Sequence, residues 1–209
     1  MKLLYGTANQ AKFNFMKDIL KDMEIELISL KDLNIDLPAI DESGNNPLEN
    51  AKIKALTYYK AAGMPVFSCD SGLYIEGMDD SKQPGVHVRR VGGKVLNDEE
   101  MISYYADLAL QAGGEATAQY RNAIALVLDE RACYTYDGED IGSVKFLIAS
   151  VAHEKRVPGF PLDSLSKELR SGKYYLDIRP ERAGSDSSMA AGFRRFFQRA
   201  VRNLLMPIK

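Results

Sequence analysis

Leu3-Leu4-Tyr5-Gly6-Thr7-Ala8-Asn9-Gln10-Ala11-Lys12 is the stretch whose reading decides the fold. Leu3 to Tyr5 form a short apolar run that reads as a buried strand. Met16, Ile19, Leu20 and Met23 then recur at helical spacing. The residues between are therefore a strand-to-helix turn. A helix's first turn leaves backbone N–H groups without intrahelical partners and carries the positive end of its dipole. Such a turn suits an anion, phosphate above all. Gly6 permits a tight turn, Thr7 and Asn9 offer hydrogen bonds, and Lys12 adds a full positive charge. Alone, the same letters describe an ordinary capped turn with a solvated lysine. Residues further along the chain decide between the two.

Working outward, Ile25 to Leu30 predicts a second strand, and an acidic loop from about Asn34 to Pro47 carries Asp36, Asp41 and Glu42. Pro47 suits the first position of a helix. Leu48, Ala51, Ala55, Tyr59 and Ala62 mark one face of that helix, which stops at Gly63 and Pro65. Val66-Phe67-Ser68 predicts a short strand that runs into Cys69-Asp70-Ser71-Gly72, after which Leu73-Tyr74-Ile75 resumes an extended pattern. A glycine-rich loop comes next, and a helix opens at Asp98 and ends at Gly113-Gly114. Ala116 to Asp129, Arg131 to Tyr136 and Gly142 to Val151 read as antiparallel strands. A rigid loop, Val157 to Asp163, precedes a final helix from about Met189 to Leu205. Phe193, Phe196, Phe197, Ala200 and Leu204 form its core face, and Arg195, Arg199 and Arg202 a basic one. The pattern predicts an α/β (mixed α+β) class: a long central mixed sheet flanked by helices, in two lobes of a single domain spanning residues 1–209.

The chain's 209 residues suffice for one sizeable core and are short for two independent domains. Its net charge of −2 argues against a grip on long nucleic acid, and leaves the arginine stripe as a solvated face. Two cysteines, Cys69 and Cys133, make neither a disulfide framework nor a zinc quartet. Two histidines, His87 and His153, are too few and too far apart for a histidine metal site; His87 reads as a surface or dimer contact. With no signal peptide and no long apolar run, the expected setting is soluble and cytoplasmic, without a membrane partner.

Three polar clusters sit beside predicted strands or helices: Gly6 to Lys12, Asp41-Glu42-Ser43-Gly44 with Lys54 downstream, and Asp70-Ser71-Gly72. Asp41 or Glu42 together with Asp70 could hold a hard divalent cation such as Mg²⁺, which takes oxygen ligands and keeps several waters. The metal and two lysines would neutralise a polyphosphate, and a carboxylate beside them could take a proton from water. Cys69 next to Asp70 reads as a small buried hydrophobe at a strand end rather than a softer ligand or redox group.

These motifs resemble those of the inosine/xanthosine triphosphate pyrophosphatase family, which hydrolyses non-standard purine nucleoside triphosphates. Its Thr-x-Asn-x-x-Lys is matched by Thr7, Asn9 and Lys12, and its acidic-x-x-Gly loop by Asp41 to Gly44. Its Glu-Asn-Ala-x-x-Lys-Ala is matched by Glu49, Asn50, Ala51, Lys54 and Ala55. Its Asp-Asp-Ser-Gly-Leu is matched by Asp70 to Leu73, with Cys69 for the first aspartate, and its Pro-Gly-Val-x-x-x-Arg by Pro84 to Val86 and Arg90. The five stand in order over about residues 1–130. The resemblance implies a Mg²⁺-dependent enzyme that releases a monophosphate and pyrophosphate, a homodimer, and a nucleotide cleft between the two lobes. It implies that Thr7, Asn9, Lys12 and Lys54 bind the triphosphate and that Asp41 and Asp70 hold Mg²⁺, with Glu42 as the alternative ligand. Asp70 would also be the general base, and Ser71 a hydrogen-bond partner of the nucleotide.

The last third departs from the family pattern. For Gly-Phe-Gly-Tyr-Asp the chain has Gly159-Phe160-Pro161-Leu162-Asp163, which retains a ring to stack on a purine and a carboxylate to accept from it. For the family's lysine it offers Arg182, and for Ser-His-Arg it offers Asp186-Ser187-Ser188. Ser187 and Ser188 are thus the candidates to face the 6-position of the purine, with a base preference altered accordingly. A family member that binds nucleotide without hydrolysing it is the alternative.

Overall fold

The computed structural model describes residues 1–178 and 188–205, with side chains described to residue 200. The chain divides into two compact units. The first comprises residues 1–71, 121–142 and 184–209; the second comprises 72–120 and 143–183.

The first unit opens with β1 (Lys2–Tyr5), α1 (Gln10–Leu20) and β2 (Glu26–Ser29). β1 pairs in parallel with β2 on one side and with the start of β3 (Val66–Ile75) on the other. Parallel neighbours need a crossover, and α1 and α2 (Pro47–Ala62) supply it. α2 begins where Pro47 and the Asn46 cap predict and ends on Gly63, whose φ of 63° lies in the left-handed region that favours glycine. The alternation of strand side chains then sorts the core. Leu3, Tyr5, Phe67, Ile124 and Leu126 bury against α1 and against Phe193 and Phe197 of α5 (Ser188–Leu205). Ala123, Ala125 and Val127 of β6 (Glu115–Val127) meet Ala51 and Ala55 of α2, small residues that let helix and sheet approach. β6 is buried on both faces here, so its sequence is a continuous apolar run.

Between β3 and β6 the chain forms a two-stranded ribbon, β4 (Arg90–Val91) with β5 (Lys94–Val95), and α3 (Asp98–Gln111). α3 starts on a reciprocal cap between Asn97 and Glu100. β7 (Cys133–Tyr136) returns along β6 as the predicted hairpin partner. In the second unit, β8 (Phe146–Ala149) and β9 (Ser166–Glu168) extend the ladder antiparallel, and α4 (Tyr175–Ile178) comes after them. The second unit has its own core: Leu73, Met101, Tyr105, Ala118, Phe146, Ile148, Leu162 and Leu165. The ladder order is β2-β1-β3-β6-β8-β9, with β7 also on β6: a seven-stranded mixed sheet flanked by helices, as the sequence predicts.

Two elements differ from expectation. Cys69 to Gly72 are not a junction between two short strands: β3 is one ten-residue strand. Its Leu73 exchanges main-chain hydrogen bonds with Gly85, and a Cβ on Gly72 would stand 3.2 Å from the Gly85 carbonyl. Gly72 thus serves close approach rather than a turn. The strand expected over 142–151 shrinks to Phe146–Ala149. Before it, mostly side-chain bonds stand in for the ladder: Asn122 donates to the Ile141 carbonyl and Gln119 to the Ser143 carbonyl, while the Tyr120 N–H donates to Ser143 Oγ and the Ser143 N–H to the Tyr120 carbonyl. Among the described residues no helix is long and apolar enough to cross a membrane.

Candidate active site

The turn between β1 and α1 is built by its own polar side chains. Asn9 caps α1: its Oδ1 accepts from the N–H groups of Ala11 and Lys12 at 2.9 and 3.2 Å. Thr7 Oγ1 accepts from the Asn9 N–H at 3.2 Å. Gly6 passes where a Cβ would stand 2.2 Å from Ser68 Oγ and 2.7 Å from the Tyr58 ring, so only glycine fits. The result is a fixed corner that presents Lys12 from the first turn of α1.

Lys12 is partly buried, and among the described residues its ammonium has no hydrogen bond or ion pair. Burial pushes its pKa below the ordinary lysine value, and the positive charge of Lys54 adds to the effect. Asp70 and Glu42 pull the other way. A cation so placed gains from any anion that reaches it.

Asp70 is the buried carboxylate of this cluster, and both of its oxygens are engaged. Lys54 Nζ donates to Oδ1 at 2.6 Å and Asn50 Nδ2 donates to Oδ2 at 3.2 Å. Asn50 and Lys54 stand one helical turn apart on α2, four residues being one turn. Asn50 is itself oriented, because its Oδ1 accepts from the Gly44 N–H at 2.9 Å. A Cβ on Gly44 would lie 2.6 Å from that oxygen, which gives the acidic loop's glycine a reason. Lys54 also reaches Glu42 Oε1 at 3.4 Å, so one ammonium bridges two carboxylates.

Thr7, Asn9, Lys12, Lys54, Asp70 and Glu42 therefore come from three distant stretches into the first unit. Asp41 is exposed, and it is Glu42 that lies beside Lys54 and Asp70. Ser71 follows Asp70 in an extended strand, so the alternation sends it to the opposite face. Cys69 packs against the aromatic core of that unit, and burial pushes its thiol up to about 12. It stays protonated and apolar in behaviour at neutral pH, not a thiolate ligand. Asn50 has no role that the sequence alone assigns; its signal is the four-residue spacing to Lys54 beside the buried Ala51.

Phe160 and Asp163 lie in the second unit, both half-buried. Gly159 has a φ of 81° and turns the chain into a 3₁₀ turn, Pro161–Leu165. Leu162, at the family's tyrosine position, is buried in that unit's core. Ser188 is the exposed first residue of α5. Arg182 and Ser187 fall outside the described residues.

The donor set around Lys54 is all oxygen, the chemistry a hard divalent cation takes. Glu42 and Asp70 fit such an ion with the rest of its sphere left to water and phosphate; among the described residues no group of three or more His, Cys, Asp or Glu could hold a metal by itself.

The model of the Ham1 family matches residues 3–152. The dITP/XTP pyrophosphatase of Mannheimia succiniciproducens is 31% identical over 182 residues, covering 85% of this chain and 86% of that one. The dITP/XTP pyrophosphatase of Haemophilus influenzae is 30% identical over 180 residues, 85% and 87% of the two chains. The solved structure of a HAM1 protein from Coxiella burnetii superposes with a TM-score of 0.72 at 24% identity, over 99% of this chain and 100% of that one, which shows the shared fold. The five motifs point to the family that these matches name: the chain belongs to the Ham1 family.

Proposed function

We propose that the protein is a Mg²⁺-dependent nucleoside triphosphate pyrophosphohydrolase that cleaves non-standard purine nucleoside triphosphates to monophosphate and pyrophosphate. The observation that carries this is the partly buried Lys12, unpaired among the described residues, beside the Glu42–Lys54–Asp70 cluster. Two lysines and two carboxylates are charge-balanced among themselves, yet among the described residues one lysine is left without a partner. An incoming polyphosphate supplies it. The names of the matched relatives support the substrate class.

Glu42 and Asp70 would hold the metal, with Asp41 left at the surface. When bound, the ion would neutralise phosphate charge and acidify a coordinated water. Asp70 receives hydrogen bonds from Lys54 and Asn50, which hold it aimed; it accepts the proton of the attacking water. Lys54 is then positioned to share its charge with the departing pyrophosphate. Lys12 and the Thr7–Asn9 corner bind the phosphate chain. Phe160 and Asp163 meet the base, stacking and accepting a hydrogen bond. Arg182, Ser187 and Ser188 belong to the same proposal as base-side residues, as do Ser71 as a nucleotide contact and a homodimer in the cytoplasm.

Steady-state turnover of a panel of purine and pyrimidine triphosphates, with Mg²⁺ and with chelator, tests this. The expected result is monophosphate and pyrophosphate from a purine triphosphate, abolished by the chelator. Inactivity toward every triphosphate by folded protein would leave the non-catalytic binder as the reading.

A further inference from the structure

The two ends of the chain from Glu154 to Asp163, which carries Phe160 and Asp163, are joined by one main-chain hydrogen bond: His153 N–H donates to the Ser164 carbonyl at 2.7 Å. Every other polar group of His153 is also committed. Its carbonyl accepts from Arg156, whose Nε donates to Glu99 of α3 at 2.9 Å. Its Nδ1 accepts from the Lys155 N–H at 3.0 Å. That acceptor role puts the ring proton on Nε2, which donates to Asp177 of α4 at 3.0 Å. The ring is largely buried and packs edge-on against Tyr174, whose hydroxyl donates to the Val151 carbonyl. One residue thus joins the two ends of the loop through its main chain and fastens them to α4 through its side chain.

We propose that His153, braced by Asp177, is a positioning residue for base discrimination: it sets the register of the loop that presents Phe160 and Asp163. The inference rests on the function proposed above. A hydrophobic stack and one carboxylate discriminate between bases only if their positions are held, because displacement by about 1 Å costs up to ~10²-fold. Asp98 and the core hold the middle of the loop through Gly159 and Leu162, and His153 holds its two ends together and to α4.

The test compares kcat and KM of wild type, Asp177→Ala and His153→Ala on the best and worst purine triphosphate of the panel. The ratio of the two kcat/KM values is expected to fall about tenfold in each variant, through KM, with kcat within about twofold. Asp177→Asn keeps an acceptor for Nε2–H and should restore the wild-type ratio. Asp177 is half-exposed, so its variants report even where His153→Ala fails to fold. A ratio unchanged in Asp177→Ala, or a loss of kcat shared by all nucleotides, overturns the inference and leaves the proposed function standing. A wild-type protein that hydrolyses no triphosphate, or does not discriminate between bases, overturns the inference; the first of these overturns the function as well.

Discussion

The two sets of candidate residues are held in opposite ways. Around Asp70, side chain binds side chain on regular elements: Lys54 and Asn50 of α2 clasp a carboxylate on β3, and Gly44 locks Asn50. Around Phe160, a ten-residue excursion is held by main-chain hydrogen bonds, by His153, by the Gly159 N–H on Asp98 and by Leu162 in the core. The difference teaches where change can be absorbed. In the first cluster each group is another's partner, so a substitution strands a buried charge or amide. In the second, Leu162, at the tyrosine position of the family pattern, is buried in the core beside the half-buried Asp163. The family model's match, residues 3–152, ends one residue before the loop's anchor.

The largest effect should come from breaking the first cluster at its centre. Asp70→Asn removes the proton acceptor and should lower kcat by about 10³-fold while nucleotide affinity, read by calorimetry, changes little. A full loss of binding instead would mean that Asp70 acts chiefly by holding the metal and its nucleotide. Lys12→Met should raise KM for the triphosphate by about 10²-fold. Gly44→Ala should lower kcat by about 30-fold by displacing the Asn50 amide, with a far smaller effect from a change at exposed Asp41; equal effects at Asp41 and Gly44 would erase the distinction. Phe160→Ala should act on the other region: KM up about tenfold, kcat preserved, base ratio reduced.

The smallest effect is on stability and comes from Lys12. Its pKa in the folded protein lies below the ordinary value of 10.5. The unfolded chain therefore binds more protons in the interval below 10.5, and the free protein gains stability as pH rises through it. At neutral pH the buried charge is a cost, so Lys12→Met should stabilise the ligand-free fold by about 1 kcal/mol even as it weakens binding. Chemical denaturation at pH 7 and pH 10 measures both; a destabilised Lys12→Met would show that Lys12 is paired in solution.

How much of this the chain announces by itself varies by region. Strand alternation and helical spacing mark β1, α1, α2, α3, the β6–β7 hairpin and α5, since each buries a regular stripe. β9, α4 and the 3₁₀ turn at Pro161–Leu165 are not legible: three to five residues are too few to show a period. Thr7, Asn9, Lys12, Lys54 and Asp70 are legible as letters in motifs. Their order in sequence also carries the family and the class of chemistry, because strand–turn–helix corners and charged residues beside them are local patterns.

Which carboxylate meets Lys54 is not local. Asp41 and Glu42 are adjacent and alike in charge, and only the path of the loop into α2 turns Glu42 inward and leaves Asp41 outside. Asn50 acquires its role only when β3 runs through as one strand and brings Asp70 to it across twenty residues. His153, one of two histidines with no motif around it, becomes a hub because Ser164 and Asp177 fold back to it. The sequence by itself determined the strand and helix pattern and the stock of charges at Lys12, Lys54 and Asp70. Tertiary structure decided which of those charges pair and which stays open, because pairing depends on distances of a few ångströms between residues far apart in the chain.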